Sequence, residues 1–463
     1  MTEAPLSRAR SRAVVLVLAC AAMVSSLQFT LMVPVLADVP DALGVSASDA
    51  AWLIIATLLS STVSTPIVSR MADLYGRRRM MLVSLGLLCA GSVLAAVGMT
   101  FTTVIIGRVL QGFATSVVPI GISLIHTHVD RRQANMGVAL LSGTIGMGST
   151  LGLPLSGLLM SHGGLSGIFW SSAVASAAFM ILIRVVVPEA PDRLSKRFDP
   201  LGSLLLVGWL TALTLVISKG AEWGWVSIPT LAWTGGGLLA FGIWIAASLR
   251  NDAAVIDLRL AMQPTMLRIN AASFLATFGM FANHLITMQE ARAPEATGIG
   301  MALPVSAAGL LLLPFALTMM ALTPVTGWCL NRYGARFVLG AGAGVMALGF
   351  AFRTFVHGGL ATVIVGTLIV GAGTAFAFAS MPALVSQASP PEELASANGV
   401  NALIRSFSGA IASSAFAFAL VAFPSAIDPQ FLSEQGLMLA FGSVSLGCLA
   451  AAVIAAAPIR RAR

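Results

Sequence analysis

Charge is what this chain has least of. Only 10% of its 463 residues are Asp, Glu, Lys or Arg, while 57% are hydrophobic, against roughly 25% charged in soluble domains. That excludes an ordinary water-soluble globule and leaves a polytopic membrane protein. Cysteine is also scarce: Cys20, Cys89, Cys329 and Cys448 lie far apart in or beside apolar runs, a spacing that offers no disulfide framework or thiolate metal site. They read as packing residues. His126, His128 and Asp130 fall at a helix end and are not taken as metal ligands, so no metal or cofactor is expected. No Ser/His/Asp, metal or phosphate-loop constellation appears, which argues against an enzyme. The net charge of +8 sits in short clusters between apolar spans rather than on one basic face, so nucleic acid is not an expected partner. No segment is long or polar enough to form an appended soluble domain, which sets a membrane sensor or receptor behind a transporter.

What is present is a series of apolar segments. They run near 13–37, 50–69, 80–99, 102–125, 136–160, 167–187, 201–218, 230–249, 269–289, 303–326, 337–356, 359–385, 398–422 and 436–457, each long enough to span a bilayer. That predicts fourteen helices. The first run is too long for a signal-peptide core and should remain as a span. Basic residues recur in every second loop, at Arg70 with Arg77 to Arg79, Arg131 with Arg132, Arg193 with Lys196 and Arg197, Arg250 with Arg259 and Arg268, Arg332 with Arg336, and Arg460, Arg461 and Arg463. This alternation places both termini in the cytoplasm of a multi-pass inner (plasma) membrane protein. Lys219, Arg292 and Arg353 read as the exceptions, in outer loops or at outer helix ends.

One basic turn occurs twice. The chain reads P-I-V-S-R-M-A-D-L-Y-G-R-R-R at 66–79 and P-V-T-G-W-C-L-N-R-Y-G-A-R at 324–336. Without a gap, Pro66 aligns with Pro324, Asp73 with Asn331, Tyr75 with Tyr333, Gly76 with Gly334 and Arg78 with Arg336. The only two tyrosines thus occupy matching places. A repeated turn between membrane helices marks a duplicated protein. The copies lie after spans 2 and 10, which fits two six-helix bundles, 1–188 and 269–463, separated by a linker with two inserted helices, 189–268. In each turn the glycine supplies a backbone conformation that bulkier residues avoid, Asp73 sits at a helix end, and the arginines, Arg77 and Arg78 among them, face the cytoplasm.

Three further stretches carry polar or small residues where a membrane helix has little use for them. Span 4 contains G-R-V-L-Q-G-F, with Arg108 and Gln111 on one face; a charge inside hydrocarbon is expensive and is usually functional. Span 5 is glycine-dense, with Gly148 and Gly152 at the spacing that lets helices approach closely and Pro154 set to kink it. Span 9 carries Asn283, His284, Thr287, Gln289 and Glu290. Together with Ser25, Ser26, Gln28 and Thr30 of span 1, these outline a cavity between helices.

The turn at 69–79 resembles the major facilitator superfamily pattern G-x-L-x-D-R-x-G-R-R, with Ser69 for its first Gly, Leu74 for its first Arg, and Asn331 for the Asp in the second copy. Arg108 and Gln111 are similar to the R-x-x-Q-G of its fourth helix. Span 5, through Gly148, Gly152, Pro154 and Gly157, is similar to the antiporter pattern G-x-x-x-G-P-x-x-G-G, although Leu153 separates Gly152 from Pro154 and Ser156 replaces a glycine. G-A-E-W-G-W at 220–225 and A-S-A-N-G-V-N-A-L-I-R at 395–405 resemble the 14-span drug:proton antiporter branch. Where that branch commonly has L-D-x-T in span 1, this chain has L-Q-F-T, with Gln28 at the acidic position.

The resemblance implies an all-α transporter of the major facilitator type, a monomer exporting a small, largely apolar organic compound such as a drug or antibiotic against entering protons. Proton-linked import of a metabolite is the alternative, which would leave a cavity richer in buried charge. A conformational latch is expected at Asp73, Gly76, Arg77, Arg78, Asn331 and Gly334, with Asp73 meeting the amino end of span 13 and Arg405. None of the eighteen Asp and Glu residues lies in the middle third of a span. The proton pathway is therefore assigned to Glu290 with His284, whose ordinary pKa is about 6.5, while Arg108, which does not titrate, fixes the charge balance of the cavity.

Overall fold

A computed structural model describes residues 7–32, 34–190, 194, 196–356 and 358–457. Arg193, Arg460, Arg461 and Arg463, counted above among the inner charges, lie outside the described residues, as does the side chain of Pro154. The described chain is helical, its one β contact being an isolated bridge between Pro424 and Leu432. In order come α1 (Arg8–Thr30), α2 (Ala47–Tyr75), α3 (Arg77–Gly98), α4 (Phe101–His128), α5 (Arg131–Val186), α6 (Pro200–Trp223), α7 (Ile228–Arg250) and α8 (Pro264–Arg292). Then follow α9 (Val305–Leu310), α10 (Leu313–Ala321), α11 (Thr323–Tyr333), α12 (Ala335–Phe355), α13 (Leu360–Ala388), α14 (Leu394–Ala422) and α15 (Glu434–Ala456).

Among the described residues, twelve helices are long and apolar enough to cross a membrane, thirteen when a pair bent by 45° counts as one span. The difference from fourteen lies in α5, whose 56 residues cover two expected spans and are interrupted at Gly164, where φ is 59° and ψ −160°. The bent pair is Ala307–Ala321 with Thr323–Tyr333; Pro324 at the start of α11 cannot donate to the preceding turn, and its ring crowds the carbonyl four residues back. Pro66, its repeat counterpart, sits inside a continuous α2. The expected first span at 13–37 ends early, at Thr30, and a short 3-10 turn, Pro34–Ala37, follows.

Helix ends are fixed by small polar caps. Ser46 and Asp49 form a reciprocal capping box at the start of α2, Asp199 accepts from Gly202 N at 3.0 Å at the start of α6, and Ser227 and Ser433 do the same for α7 and α15. Each satisfies amides that have no partner within the helix. By internal contacts the chain divides into two compact units. Unit one holds 1–137, 148–263 and 389–403; unit two holds 138–147, 264–388 and 404–463. In unit one α3 packs on α4 through Gly91 and Gly107, where a Cβ on Gly91 would stand 2.6 Å from the Gly107 carbonyl oxygen. In unit two α12 packs on α13 through Gly342 and Gly373, where a Cβ on Gly342 would stand 2.7 Å from the Gly373 carbonyl oxygen. Close helix pairing through glycine is the packing mode of membrane bundles.

Candidate functional site

The first repeat turn is a densely bonded polar cluster of unit one. Gly76, at φ 113°, ends α2 and opens α3. Asp73, one turn earlier and fully buried, accepts on Oδ1 from Arg77 Nε at 3.1 Å and Ala395 N at 3.2 Å, and on Oδ2 from Ser396 N and Ser396 Oγ, both at 2.7 Å. A carboxylate is thus seated on the amino end of α14, where free amides and the helix dipole favour negative charge. Arg77, also fully buried, donates to Thr127 Oγ1 at 2.7 Å and to the Pro391 carbonyl. Arg70 and Lys196 share Glu393, at 3.4 and 3.3 Å. Gly399 of α14 faces Ser69, a Cβ there standing 2.6 Å from the serine side chain, so the small residue this approach requires is on α14.

The linker after α5 completes the cluster, and sequence reasoning missed it. Glu189 accepts from Arg78 N at 2.9 Å and Arg79 N at 3.2 Å, capping α3 from outside the helix. Leu194 N donates to the Asp73 carbonyl at 2.8 Å. The second turn repeats the backbone without this clamp. Gly334 has φ 83° and a Cβ on it would meet nothing within 4 Å, Asn331 and Arg332 are exposed, and Arg336 caps α15 through the Ala457 carbonyl. Arg405, expected as a partner of Asp73, stacks instead over the Phe378 ring, 5.3 Å from its centroid.

Arg108 lies in the first half of α4. A 3-10 turn, Phe113–Ser116, interrupts the helix just beyond it, because the ring of Pro119 crowds the carbonyl of residue 115. Arg108 is 2% exposed. Its Nε donates to the Leu53 carbonyl at 3.0 Å, and its Nη1 to the Gln28 carbonyl at 3.2 Å and Gln111 Oε1 at 2.7 Å. Gln111 in turn donates to Ser92 Oγ at 2.9 Å, which fixes the amide with its oxygen toward the guanidinium. Four polar residues of the sequence reading therefore fall into unit one's interior: Gln28, Ser25, Arg108 and Gln111 are all buried. In the same unit, Gly148 of α5 admits α1, a Cβ on it standing 2.6 Å from the Met23 carbonyl oxygen, and Gly152 lies against Thr30. Gly157 has open space beside it.

Unit two holds a buried arginine of its own. Arg353 of α12, read from sequence as an outer charge, is 1% exposed and forms an ion pair with Glu290 of α8. It also donates to Asn283 Oδ1 at 3.0 Å and Thr287 Oγ1 at 2.8 Å, and stacks 4.3 Å over the Phe441 ring. The spacing of Asn283, Thr287 and Glu290 puts all three on one face of α8. The chain beyond α8 folds back on this site, with Met301 N donating to the Glu290 carbonyl at 3.1 Å and Leu303 N to that of Ala291 at 2.8 Å. His284 Nδ1 donates to the Met280 carbonyl at 2.8 Å, and the ring packs edge-on against Phe315. Lys219, another of the three outer exceptions, is 3% exposed, paired with Glu222 at 2.5 Å and placed 5.3 Å from the Trp52 ring centroid. Arg353 and Lys219 are each paired with a carboxylate, Glu290 buried and Glu222 exposed, so neither is an unpaired outer charge.

The family model described as Major Facilitator Superfamily matches residues 18–286 and 269–462. Among curated proteins, the chain is 26% identical over 407 residues to the multidrug resistance protein Stp of Mycobacterium tuberculosis, covering 85% of this chain and 73% of that protein. It is 24% identical over 341 residues to the tetracenomycin C resistance and export protein of Streptomyces glaucescens, covering 72% of this chain and 61% of that one. Among solved structures, the human organic anion transporter MFSD10 (TETRAN) superposes with a TM-score of 0.66 at 17% identity, covering 96% of this chain and 99% of the other. At that identity the likeness is one of fold.

Proposed function

The chain belongs to the major facilitator superfamily, a multi-pass membrane transporter and not an enzyme, and on that premise we propose that it exports small, largely apolar organic compounds in exchange for protons. The observation that carries this reading is the buried pair Glu290–Arg353, together with relatives whose names record multidrug resistance and antibiotic export. A carboxylate buried against a guanidinium is stable while charged. A proton arriving on Glu290 cancels its charge, frees Arg353 for Asn283, Thr287 and Phe441 alone, and loosens the fold-back segment at 301–303. Proton arrival and departure thereby bias two arrangements of α8, as coupling requires.

In this reading Arg131–Val186 counts as two spans meeting at Gly164, which brings the total to fourteen, with both termini cytoplasmic in the inner membrane and the protein acting as a monomer. Two six-helix bundles, 1–188 and 269–463, flank the inserted pair in 189–268 and give alternating access. The cluster around Asp73 is the latch, formed in one conformation and broken in the other. The test is efflux of a chemical panel from energised cells, with and without collapse of the proton gradient. Export that stops on collapse is the expected result; export that continues, or uptake in place of export, overturns the proposal.

A further inference from the structure

Four arginines, Arg70, Arg77, Arg108 and Arg353, are fully buried. Three of them have a carboxylate: Arg70 has Glu393, Arg77 has Asp73, and Arg353 has Glu290. Arg108 has none among the described residues. Its three bonds go to two peptide carbonyls and one amide oxygen, all of them neutral acceptors. A guanidinium has five N–H groups, and these three bonds leave both hydrogens of Nη2, which is buried and has no partner among the described residues. Gln28, whose carbonyl is already on Arg108, is itself uncharged.

Leaving an arginine in this state is costly, because buried charges persist when paired. A water molecule satisfies the N–H groups of Nη2 but supplies no opposite charge. An anionic oxygen supplies both, accepting charge-assisted bonds from Nη2, since Nε and Nη1 are already engaged. We propose that Arg108 Nη2 anchors the acidic group of the transported compound, so that the substrates are organic anions: an apolar body bearing one ionised carboxylate, sulfonate or phenolate. This rests on the reading of the chain as an exporter and names its substrate class. Specificity then has a simple origin. The apolar body is selected weakly, by shape, while a cationic or neutral analogue leaves Arg108 unpaired.

The test uses the purified full chain in liposomes with an imposed pH gradient and three probes sharing one naphthalene body: the sulfonate, the sulfonamide and the trimethylammonium. The expected result is that the sulfonate moves at least about ten-fold faster than either analogue, the ratio that one charge-assisted hydrogen bond in a buried site carries. Gln28→Asp, placing a carboxylate on the residue that already touches Arg108, is expected to reduce sulfonate flux by about ten-fold and narrow its lead over the trimethylammonium. Arg108→Lys, which keeps the charge and removes Nη2, is expected to fall between the two. Elution profile and melting temperature of each variant separate lost recognition from lost folding, and protection of the parental protein against melting by the sulfonate gives a readout independent of flux. Export of the sulfonamide or trimethylammonium but not the sulfonate sinks the anion assignment and leaves the exporter reading standing. Movement of no probe under any gradient sinks both. Sulfonamide flux that depends on chloride, lost when sulfate replaces it, shows that an inorganic anion fills the site and overturns the proposal.

Discussion

Exchanging Asp73 for Asn changes one atom and, through it, the whole first turn. The carboxylate takes two donors on each oxygen: Arg77 Nε and Ala395 N on one, Ser396 N and Ser396 Oγ on the other. An amide offers one acceptor oxygen and one NH2 group. Turned with its NH2 toward Arg77 and Ala395 it loses two of the four bonds; turned toward Ser396 it loses the bond from Ser396 N while the hydroxyl reverses to accept, and either way the negative charge on the α14 amides is lost. Charge-assisted bonds contribute about 1.5–3 kcal/mol each, and removing one partner of a buried ion pair costs about 3–5 kcal/mol; these overlap, since Arg77 is counted in both. A net loss of about 3 kcal/mol for the latched conformation shifts its population by about two orders of magnitude. The expected outcome is flux well below the parental rate at normal membrane abundance, with a lowered melting temperature. Ser396→Ala removes only one of the four bonds, keeps the charge of Asp73, and should cost about 1.5 kcal/mol, the low end of that range. Parental flux and melting in Asp73→Asn would refute the reasoning, as would an equal loss in Ser396→Ala.

Arg353→Gln leaves Glu290 charged and buried without its partner, with an expected loss of about 3–5 kcal/mol; the double change Glu290→Gln with Arg353→Met should recover most of it in thermal melts, and equal melting of single and double variants would show the pair to be uncoupled. Glu290→Gln alone should weaken pH-driven efflux, and adding His284→Ala should remove most of what remains; an unchanged pH dependence in the double variant excludes this pair as the proton carrier. Gly107→Ala puts a Cβ 2.5 Å from the Gly91 carbonyl oxygen and 2.9 Å from Ala95 Cβ, forcing α3 and α4 apart beside Arg108 at about 1–3 kcal/mol. Gly344→Ala, where nothing lies within 4 Å, should stay within about 0.5 kcal/mol in the same melts.

The parts of the site that could be read from the letters are those where the cause is local. Gly76 and Gly334 were legible because a tight turn between two helices needs a positive φ, and the amino end of α14 was legible as the partner of Asp73 because a carboxylate at a membrane helix end seeks free amides. The burial of Arg353 was not foreseen because a charge three residues from the end of an apolar run looks the same in a loop as in a core. Its signal lay elsewhere: Asn283, Thr287 and Glu290, spaced by four and then three, form a polar face that has use for a cation. The role of Glu189 had no such signal, since its reach to the α3 amides depends on the path of the linker through space.

Asn331→Asp tests whether the two copies of the turn differ in kind or only in degree. The substitution restores the charge that Asp73 has in the first copy, and the backbone around it is the same, with glycine at positive φ three residues on. Its surroundings are not. Asn331 and its neighbours Arg332, Tyr333 and Gly334 are exposed, so a new carboxylate there stays hydrated and pays no desolvation. It also sits near the carboxyl end of α11, where the helix dipole opposes it by about 0.3–1 kcal/mol, an effect that Arg332 beside it offsets in part. In the proposed reading the first turn acts as a latch because burial forces Asp73 to take partners; an exposed carboxylate is under no such compulsion. Asn331→Asp is therefore expected to change melting by less than about 1 kcal/mol and to leave flux near the parental rate, in contrast to Asp73→Asn. If instead it slowed transport as much as Asp73→Asn does, the second turn would have to close on partners of its own during the cycle, and the division of labour between the two copies would be wrong.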